Sequence, residues 1–296
     1  MRQLIIQSAV SGLLVGGIYG IVALGLALSF GVLKVLNVAH GELVMLGGYA
    51  AFFLFTNMGL DPLLTIPLVF ICVFALGTVL YSLLFKFVVR FDIETRIKNS
   101  LLISFGLVLI LQAIAVFLFS GDDRTIVTGY SSKALVVTGW VRIPWARSAG
   151  LVVAVIAAFL LEWLLNRTTF GHAVRGTSED WALASLTGIN VRRVYMIAFA
   201  ISAGLAGVAG SLVSLGYSVS PSIGLGWTLK ALIVIVLAGL GSMRGIVLAG
   251  ALLGLVEGLA SVWLGSAYRG VVALVVFLVV LSFRPQGLFG RGGNHV

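Results

Sequence analysis

Residues 37–42 read NVAHGE, and the reading of this hexapeptide decides how the chain is threaded. An Asn, a His and a Glu stand between two apolar stretches: Gln3 to Leu33 carries no charge, and neither does Leu43 to Leu60. Ionisable groups are costly within hydrocarbon. The hexapeptide is therefore either a turn resting at a membrane surface or polar machinery set inside the bilayer.

The flanking composition makes the membrane the frame for that choice. Of 296 residues, 60% are hydrophobic and 10% charged, and the mean hydropathy is +1.16. Soluble domains carry about 25% charged residues. Charge-free runs at 3–33, 43–60, 62–85, 99–121 and 194–229 match a hydrocarbon core roughly 30 Å thick. They are continuously apolar rather than alternating, so helices rather than barrel strands are the spanning element. Gly12, Gly16 and Gly20 stand at four-residue spacing, as do Gly250, Gly254 and Gly258, a pattern that suits close helix packing in lipid.

The formal charge of +9 is explained by basic residues flanking spans, and no Lys/Arg cluster with interleaved aromatics points to nucleic acid. The single cysteine, Cys72, excludes an intrachain disulfide and reads as a small buried hydrophobe. The N-terminal run is too long for a signal-peptide core and is read as retained. One membrane domain over 1–296 is the expectation.

Basic loops set the orientation. Residues 86–98 carry Lys86, Arg90, Arg96 and Lys98, and residues 166–193 carry Arg167, Arg175, Arg192 and Arg193. Two candidate spans separate these loops, so both face one side, which the basic bias makes cytoplasmic. The loop at 120–147 is then external. Later spans are expected over about 194–215, 228–241, 246–264 and 269–283, with an external turn at 218–226. The front end leaves a parity question. If 8–31 and 38–57 both cross, the N-terminus is external; if it is internal, one early segment is broken or re-entrant. The expected fold is an all-α polytopic bundle of about eight transmembrane helices, with such a segment near the N-terminus left open.

Asn37 suits an N-cap for a helix over 38–57, and Glu42 would lie near its positive end. Two readings stand. In one, the helix starts at the surface with His40 and Glu42 solvated; in the other, it starts within the bundle, where Asn37, His40, Gly41 and Glu42 line a translocation path. A purely structural polar contact is a third. Glu257 falls midway along its span and joins the path candidates, and Lys230 is placed near the outer end of the preceding helix. Either could instead pair or snorkel within the bundle. In the long internal loop, Thr177 stands three residues before Asp180, a capping-box spacing that opens a helix of about three turns over 178–188, stopped by Gly188. Such a helix could seat in a partner's groove or lie flat on the lipid interface. Residues 241–245, GSMRG, read as a tight turn with Arg244 at the surface.

Some chemistry is excluded. None of Lys34, Lys86, Lys98, Lys133 and Lys230 follows a glycine, so the chain has no P-loop. Three histidines make a His-rich metal site improbable. No local motif supports a hydrolase built from Ser211 or Ser242 with His40.

Three stretches resemble a known family. GIYGIVALGLALSFGVLKVLNVAHGELVMLGGYAA (17–51) is similar to the N-terminal signature of the permease subunits of branched-chain amino acid ABC importers. TTFGHAVRGTSEDWALASLTGIN (168–190), with AFAISAGLAGVAGSL (198–212), resembles their cytoplasmic coupling region and next helix. GLGSMRGIVLAGALLGLVEGL (239–259) resembles their late turn and helix. The resemblance implies a non-enzymatic permease that pairs with a homologous second permease subunit, two cytoplasmic ATPases and a periplasmic binding protein. It implies a multi-pass location in the bacterial inner membrane and no cofactor in this chain, ATP and Mg belonging to the ATPases. Gly171, Arg175, Asp180, Ala184, Gly188 and Ile189 match the segment that docks on an ATPase. One departure is Gly176, where the family often has Ala. The expected cargo is branched-chain or related amino acids, with urea, amides or small carboxylates as the alternative and an ion-coupled secondary transporter as the rival mechanism.

Overall fold

A peptide group in hydrocarbon has no water to bond, so each long apolar run closes its hydrogen bonds internally as a helix. The computed structural model describes residues 1–130, 134–136, 141–239 and 243–289. Helix α1 spans Arg2–Leu33, α2 His40–Met58 and α3 Ile66–Leu80, the last continuing through a π-helical turn, Tyr81–Phe85, into the short α4, Lys86–Val88. Then follow α5 (Ile93–Phe119), a two-stranded antiparallel ribbon of β1 (Ala134–Val136) and β2 (Arg142–Pro144), and α6 (Trp145–Arg167). The basic segment after α6 holds α7 (Thr169–Glu179) and α8 (Trp181–Leu186). The chain closes with α9 (Val191–Gly216), α10 (Ile223–Ala238), α11 (Met243–Leu264) and α12 (Arg269–Phe283).

Among the described residues, seven helical segments are long and apolar enough to cross a membrane, and α10 is a shorter apolar helix. With α10 these make eight full crossings, and the segment through α2 is a further, interrupted one. Helix α2 is the irregular segment near the front: it is 19 residues long, but its first turn is polar.

Helices α1 and α9 form the centre, with 83% of their apolar windows buried against 6% for the last span. Apolar side chains on the outer helices, such as Leu102, Phe117, Phe159 and Leu278, point outward as a lipid-facing surface requires. The two glycine stripes meet each other. A Cβ at Gly16 would fall on the Gly250 carbonyl, and one at Gly254 on the Gly12 carbonyl. Helices α1 and α11 thus pack antiparallel at backbone contact, an approach only hydrogen side chains permit.

That packing answers the parity question. The side chain of Gln7 bonds both backbone groups of Arg142, accepting from its N–H at 2.8 Å and donating to its carbonyl at 2.7 Å. The start of α1 therefore lies at the end of the bundle that carries β2. Lys86 and Arg90 line one pocket with Trp181 and Arg192, so the two basic loops share the opposite end. Both α1 and the segment through α2 traverse the bundle, and the N-terminus lies at the end away from the basic loops.

Three local expectations are corrected. Cys72 is exposed on the outer face of α3, where lipid rather than protein surrounds an apolar residue. Lys230 stands at the middle of α10, because that helix begins at Ile223, inside the stretch read as a turn. The segment after α6 is helical from Thr169 onward, since the Thr168 hydroxyl accepts from the Gly171 N–H and caps α7. Residues 240–242 of the expected glycine-bounded turn, and the Arg244 side chain, lie outside the described residues.

Candidate functional site

The chain between α1 and α2 is not helical. Helix α1 ends where Lys34 turns left-handed (φ 53°), and α2 begins at His40. Non-helical backbone at this depth must find partners in the protein. Helix α5 supplies them: Ser100 Oγ accepts from the Leu36 N–H at 3.0 Å, and Ser104 Oγ accepts from the Val38 N–H at 3.1 Å. Arg96, buried, reaches across the end of α1 and donates to the carbonyls of Leu33 (3.1 Å), Val89 (2.7 Å) and Phe91 (3.0 Å). A cation there also complements the negative end of the helix dipole.

Asn37 does not cap α2. Its Oδ1 accepts from Ala39 N–H at 3.1 Å, an Asx-type turn that places Ala39 at the cap position and delays the helix to His40. The helix start is then held by α10. Thr228 Oγ1 accepts from the Gly41 N–H at 2.8 Å and donates to the Val38 carbonyl at 2.8 Å. A Cβ at Gly41 would strike the Gly224 carbonyl, so the two helices touch through backbone.

Asn37, His40 and Glu42 are 2%, 0% and 1% exposed, which removes the reading of a solvated surface turn. His40 Nε2 lies 3.0 Å from the Val22 carbonyl. Glu42 Oε1 accepts from Gln112 Nε2 of α5 at 3.0 Å, while its Oε2 and His40 Nδ1 have no hydrogen-bond partner among the described residues. Glu42 sits in the first turn of α2, where the helix end favours a carboxylate. The site thus combines a buried carboxyl with spare acceptor capacity, a helix start and an unpaired imidazole nitrogen.

Glu257 belongs to a second cluster. It pairs with Lys230 of α10 and accepts from the Tyr19 hydroxyl at 2.8 Å, and Lys230 also stands 4.7 Å from the Tyr19 ring centroid. Tyr19 packs edge-on against Trp227, next to Thr228, with centroids 5.7 Å apart. Helix α10 therefore serves both clusters, with Gly224 and Thr228 toward α2 and Lys230 toward α11. The structure brings Asn37, His40, Gly41 and Glu42 together and sets Glu257 apart from them. Sequence reading missed Ser100, Ser104, Gln112, Gly224 and Thr228. Ser100, Ser104 and Gln112, four and then eight positions apart, are polar side chains in the largely apolar part of α5 after Asn99 and were the available signal.

The six coupling candidates lie along α7 and α8. A Cβ at Gly171 would meet the Leu165 carbonyl, so α7 folds tightly back on the end of α6. Arg175 donates to the Leu165 carbonyl and to Asn166 Oδ1, fastening that corner. The helix after it is shorter than expected and differently capped. Asp180 Oδ1 accepts from Ala182 N–H (2.8 Å) and Leu183 N–H (3.1 Å), and Thr177 is buried within α7. Helix α8 ends in a Schellman motif: Gly188 is at φ +86°, and Ile189 N–H bonds the Ala184 carbonyl at 3.2 Å. Ala184 faces inward, while Trp181, Leu183 and Leu186 are 54%, 61% and 83% exposed. Ser211 donates to the Gly207 carbonyl of its own helix, and His40 is engaged with Val22, so these two form no nucleophile–base pair. Ser242 is outside the described residues.

Comparison with known proteins follows the same lines. The model of the family described as "Branched-chain amino acid transport system / permease component" matches residues 8–281. The permease protein BraD of a high-affinity branched-chain amino acid transport system, from Pseudomonas aeruginosa, is 32% identical over 97% of this chain and 96% of its own. LivH from Escherichia coli, a permease protein of such a system, is 28% identical over 97% and 96%. LivM from the same organism, also a permease protein, is 29% identical over 50% of this chain and 34% of its own. No solved structure matches. With a family model covering nearly its full length and buried polar groups gathered at the start of an intramembrane helix, this chain belongs to the permease components of branched-chain amino acid transport systems.

Proposed function

We propose that the chain is one permease subunit of an ATP-driven importer and forms part of the path for branched-chain or related amino acids. The end bearing the basic loops faces the cytoplasm of the inner membrane, and the whole chain works as one membrane unit. It pairs with a homologous permease subunit, two ATPases that bind ATP and Mg, and a periplasmic binding protein. The second permease is suggested by the half-length likeness to LivM.

One observation carries this reading. Helix α8 is held at both ends, by Asp180 and the Gly188 turn, yet presents Trp181, Leu183 and Leu186 outward at the basic end. A short, pre-ordered helix with an exposed apolar face binds a groove at low ordering cost. Movement of the docked ATPases would pass through the Arg175–Leu165 corner into α6. The path reading for Asn37, His40, Gly41 and Glu42 rests on their burial at a helix start, and Glu257 is proposed as a packing charge beside that path. Relatives' names favour branched-chain amino acids over urea or amides.

The test is a cysteine crosslink from Ser178→Cys or Ser185→Cys to a co-purifying ATPase, with uptake measured in parallel. Crosslinking that disappears on Asp180→Ala, with uptake dependent on an active ATPase, is expected. Labelling of both positions from outside the cell, or uptake that persists without any ATPase, would overturn the proposal.

A further inference from the structure

At the basic end, the π-helical turn Tyr81–Phe85, α4 and the start of α9 enclose a cavity of about 360 Å³ under α8. Lys86, Arg90 and Arg192 line it, and among the described residues no carboxylate pairs with any of the three. Of the acids nearby along the chain, Asp92 accepts from the Thr95 N–H, Glu94 from Lys98, and Asp180 caps α8, while Glu179 is exposed and pairs with none of the three cations. The cavity thus carries three cations without a paired carboxylate among the described residues, Lys86 and Arg90 lying over the Phe87 ring at 4.8 and 5.6 Å.

A second observation is independent of charge. Tyr81, which lines the cavity, is 1% exposed, and its hydroxyl has no hydrogen-bond partner among the described residues. A buried hydroxyl without an acceptor is unfavourable and rare in native structures. The π turn adds a residue to the helix at this point, a distortion that recurs at functional sites. Tyr81 and the three cations together offer a tetrahedral oxyanion both charge and a neutral donor.

The position identifies the source of that oxyanion. The cavity lies where the span through α3 and α4 ends, and Leu83 of the π turn and Phe87 of α4 face outward at 62% and 50% exposure. The half-exposed Trp181 of α8 also lines the cavity, and such aromatic side chains are enriched at headgroup level. Cationic pockets between spans at the membrane boundary suit lipid phosphate, with acyl chains running along the neighbouring apolar face. We propose that this cavity binds the phosphate headgroup of an anionic phospholipid, held by Lys86, Arg90, Arg192 and the Tyr81 hydroxyl. Bound lipid would then bridge the span carrying α4 to α8. The site does not depend on which solute is transported.

The experiment places the full chain in phosphatidylcholine nanodiscs doped with photoactivatable phosphatidylglycerol and maps the crosslinked peptides by mass spectrometry. Crosslinks are expected within 81–90 and 181–192, competed by unlabelled phosphatidylglycerol. They should fall about a hundredfold in Lys86→Gln/Arg90→Gln/Arg192→Gln, since each cation contributes several-fold to attraction of anionic lipid. Tyr81→Phe separates binding from folding: it should lower labelling about threefold and leave the melting temperature unchanged or raised, because no partner is lost in the lipid-free chain. Equal labelling by photoactivatable phosphatidylcholine, or labelling unaltered in both variants, would refute the proposal. Displacement of the lipid by millimolar inorganic phosphate would identify a free-anion site instead and also refute it. Labelling abolished when the assembled complex with its ATPases is used would identify a protein contact, with the same consequence.

Discussion

The hydroxyl of Thr228 and the backbone N–H of Gly41, 2.8 Å apart, join helices separated by 187 positions in the chain. The same hydroxyl donates to the Val38 carbonyl, so one side chain satisfies a donor and an acceptor at a buried helix start. Thr228→Val keeps the shape and removes both bonds. It should destabilise the protein by about 2 kcal/mol, since two buried backbone groups are orphaned, each worth roughly 1–3 kcal/mol. Polar pairs in membranes average nearer 0.6 kcal/mol, which keeps the figure at the low end. Thr228→Ser should hold within about 1 kcal/mol. Thermal unfolding in nanodiscs, read with uptake, distinguishes the two.

Gly224 makes room for Glu42. A Cβ at Gly224 would fall on the Glu42 carboxyl, whereas one at Gly226 meets nothing within 4 Å. Gly224→Ala should therefore depress uptake and melting temperature together. Gly226→Ala should be neutral or gain up to about 1 kcal/mol of helix propensity. Glu42→Gln preserves volume and should reduce uptake more than it reduces the amount of assembled protein. Uptake unchanged in Glu42→Gln would return Glu42 to a packing role.

The Lys230–Glu257 pair joins α10 to α11 with Glu257 almost fully buried. Lys230→Met leaves that carboxylate with only the Tyr19 hydroxyl, and removing one member of a buried pair costs about 3 kcal/mol or more. Lys230→Met/Glu257→Gln should recover most of the loss, because the buried charge goes with its partner. A double-mutant cycle in melting free energy checks this, and additive losses would refute it.

Asp92 caps α5 at the basic end, and the Thr95 N–H bonded to its carboxylate holds its pKa below the ordinary aspartate range. A depressed folded-state value means the stabilisation is present above the unfolded pKa and is lost as pH falls through the folded one. Hydrogen-exchange protection at Thr95 should therefore be constant near neutrality and decline only below the ordinary aspartate range. Asp92→Asn should remove that decline. The residue is solvent-exposed, so the effect stays local to the first turn of α5.

Much of the fold was legible before any tertiary contact was known. The charge-free runs became helices close to their expected limits, because hydropathy acts over a window of consecutive residues and needs no partner. The glycine stripes at Gly12, Gly16, Gly20 and Gly250, Gly254, Gly258 announced close packing, though nothing local said that they faced each other. Caps were read less well. Asn37 and Thr177 both had the right type and spacing, but each lost to a neighbour: Asn37 bonded two residues on, and Asp180 bonded two amides of α8. Short polar side chains have several backbone groups within reach, and packing selects among them.

NVAHGE marks the division most clearly. By itself the sequence determined that the chain is a polytopic helical membrane protein, that its polar groups cluster at this hexapeptide, and which family motifs surround it. Depth and direction were decided only in three dimensions. Gln7 on Arg142 set the N-terminus at the end away from the basic loops, and Ser100, Ser104, Gln112 and Thr228 made a buried helix start tolerable. The reason is physical: apolar transfer is a sum over neighbours in sequence, whereas a buried polar group is acceptable only if a partner arrives from elsewhere in the chain.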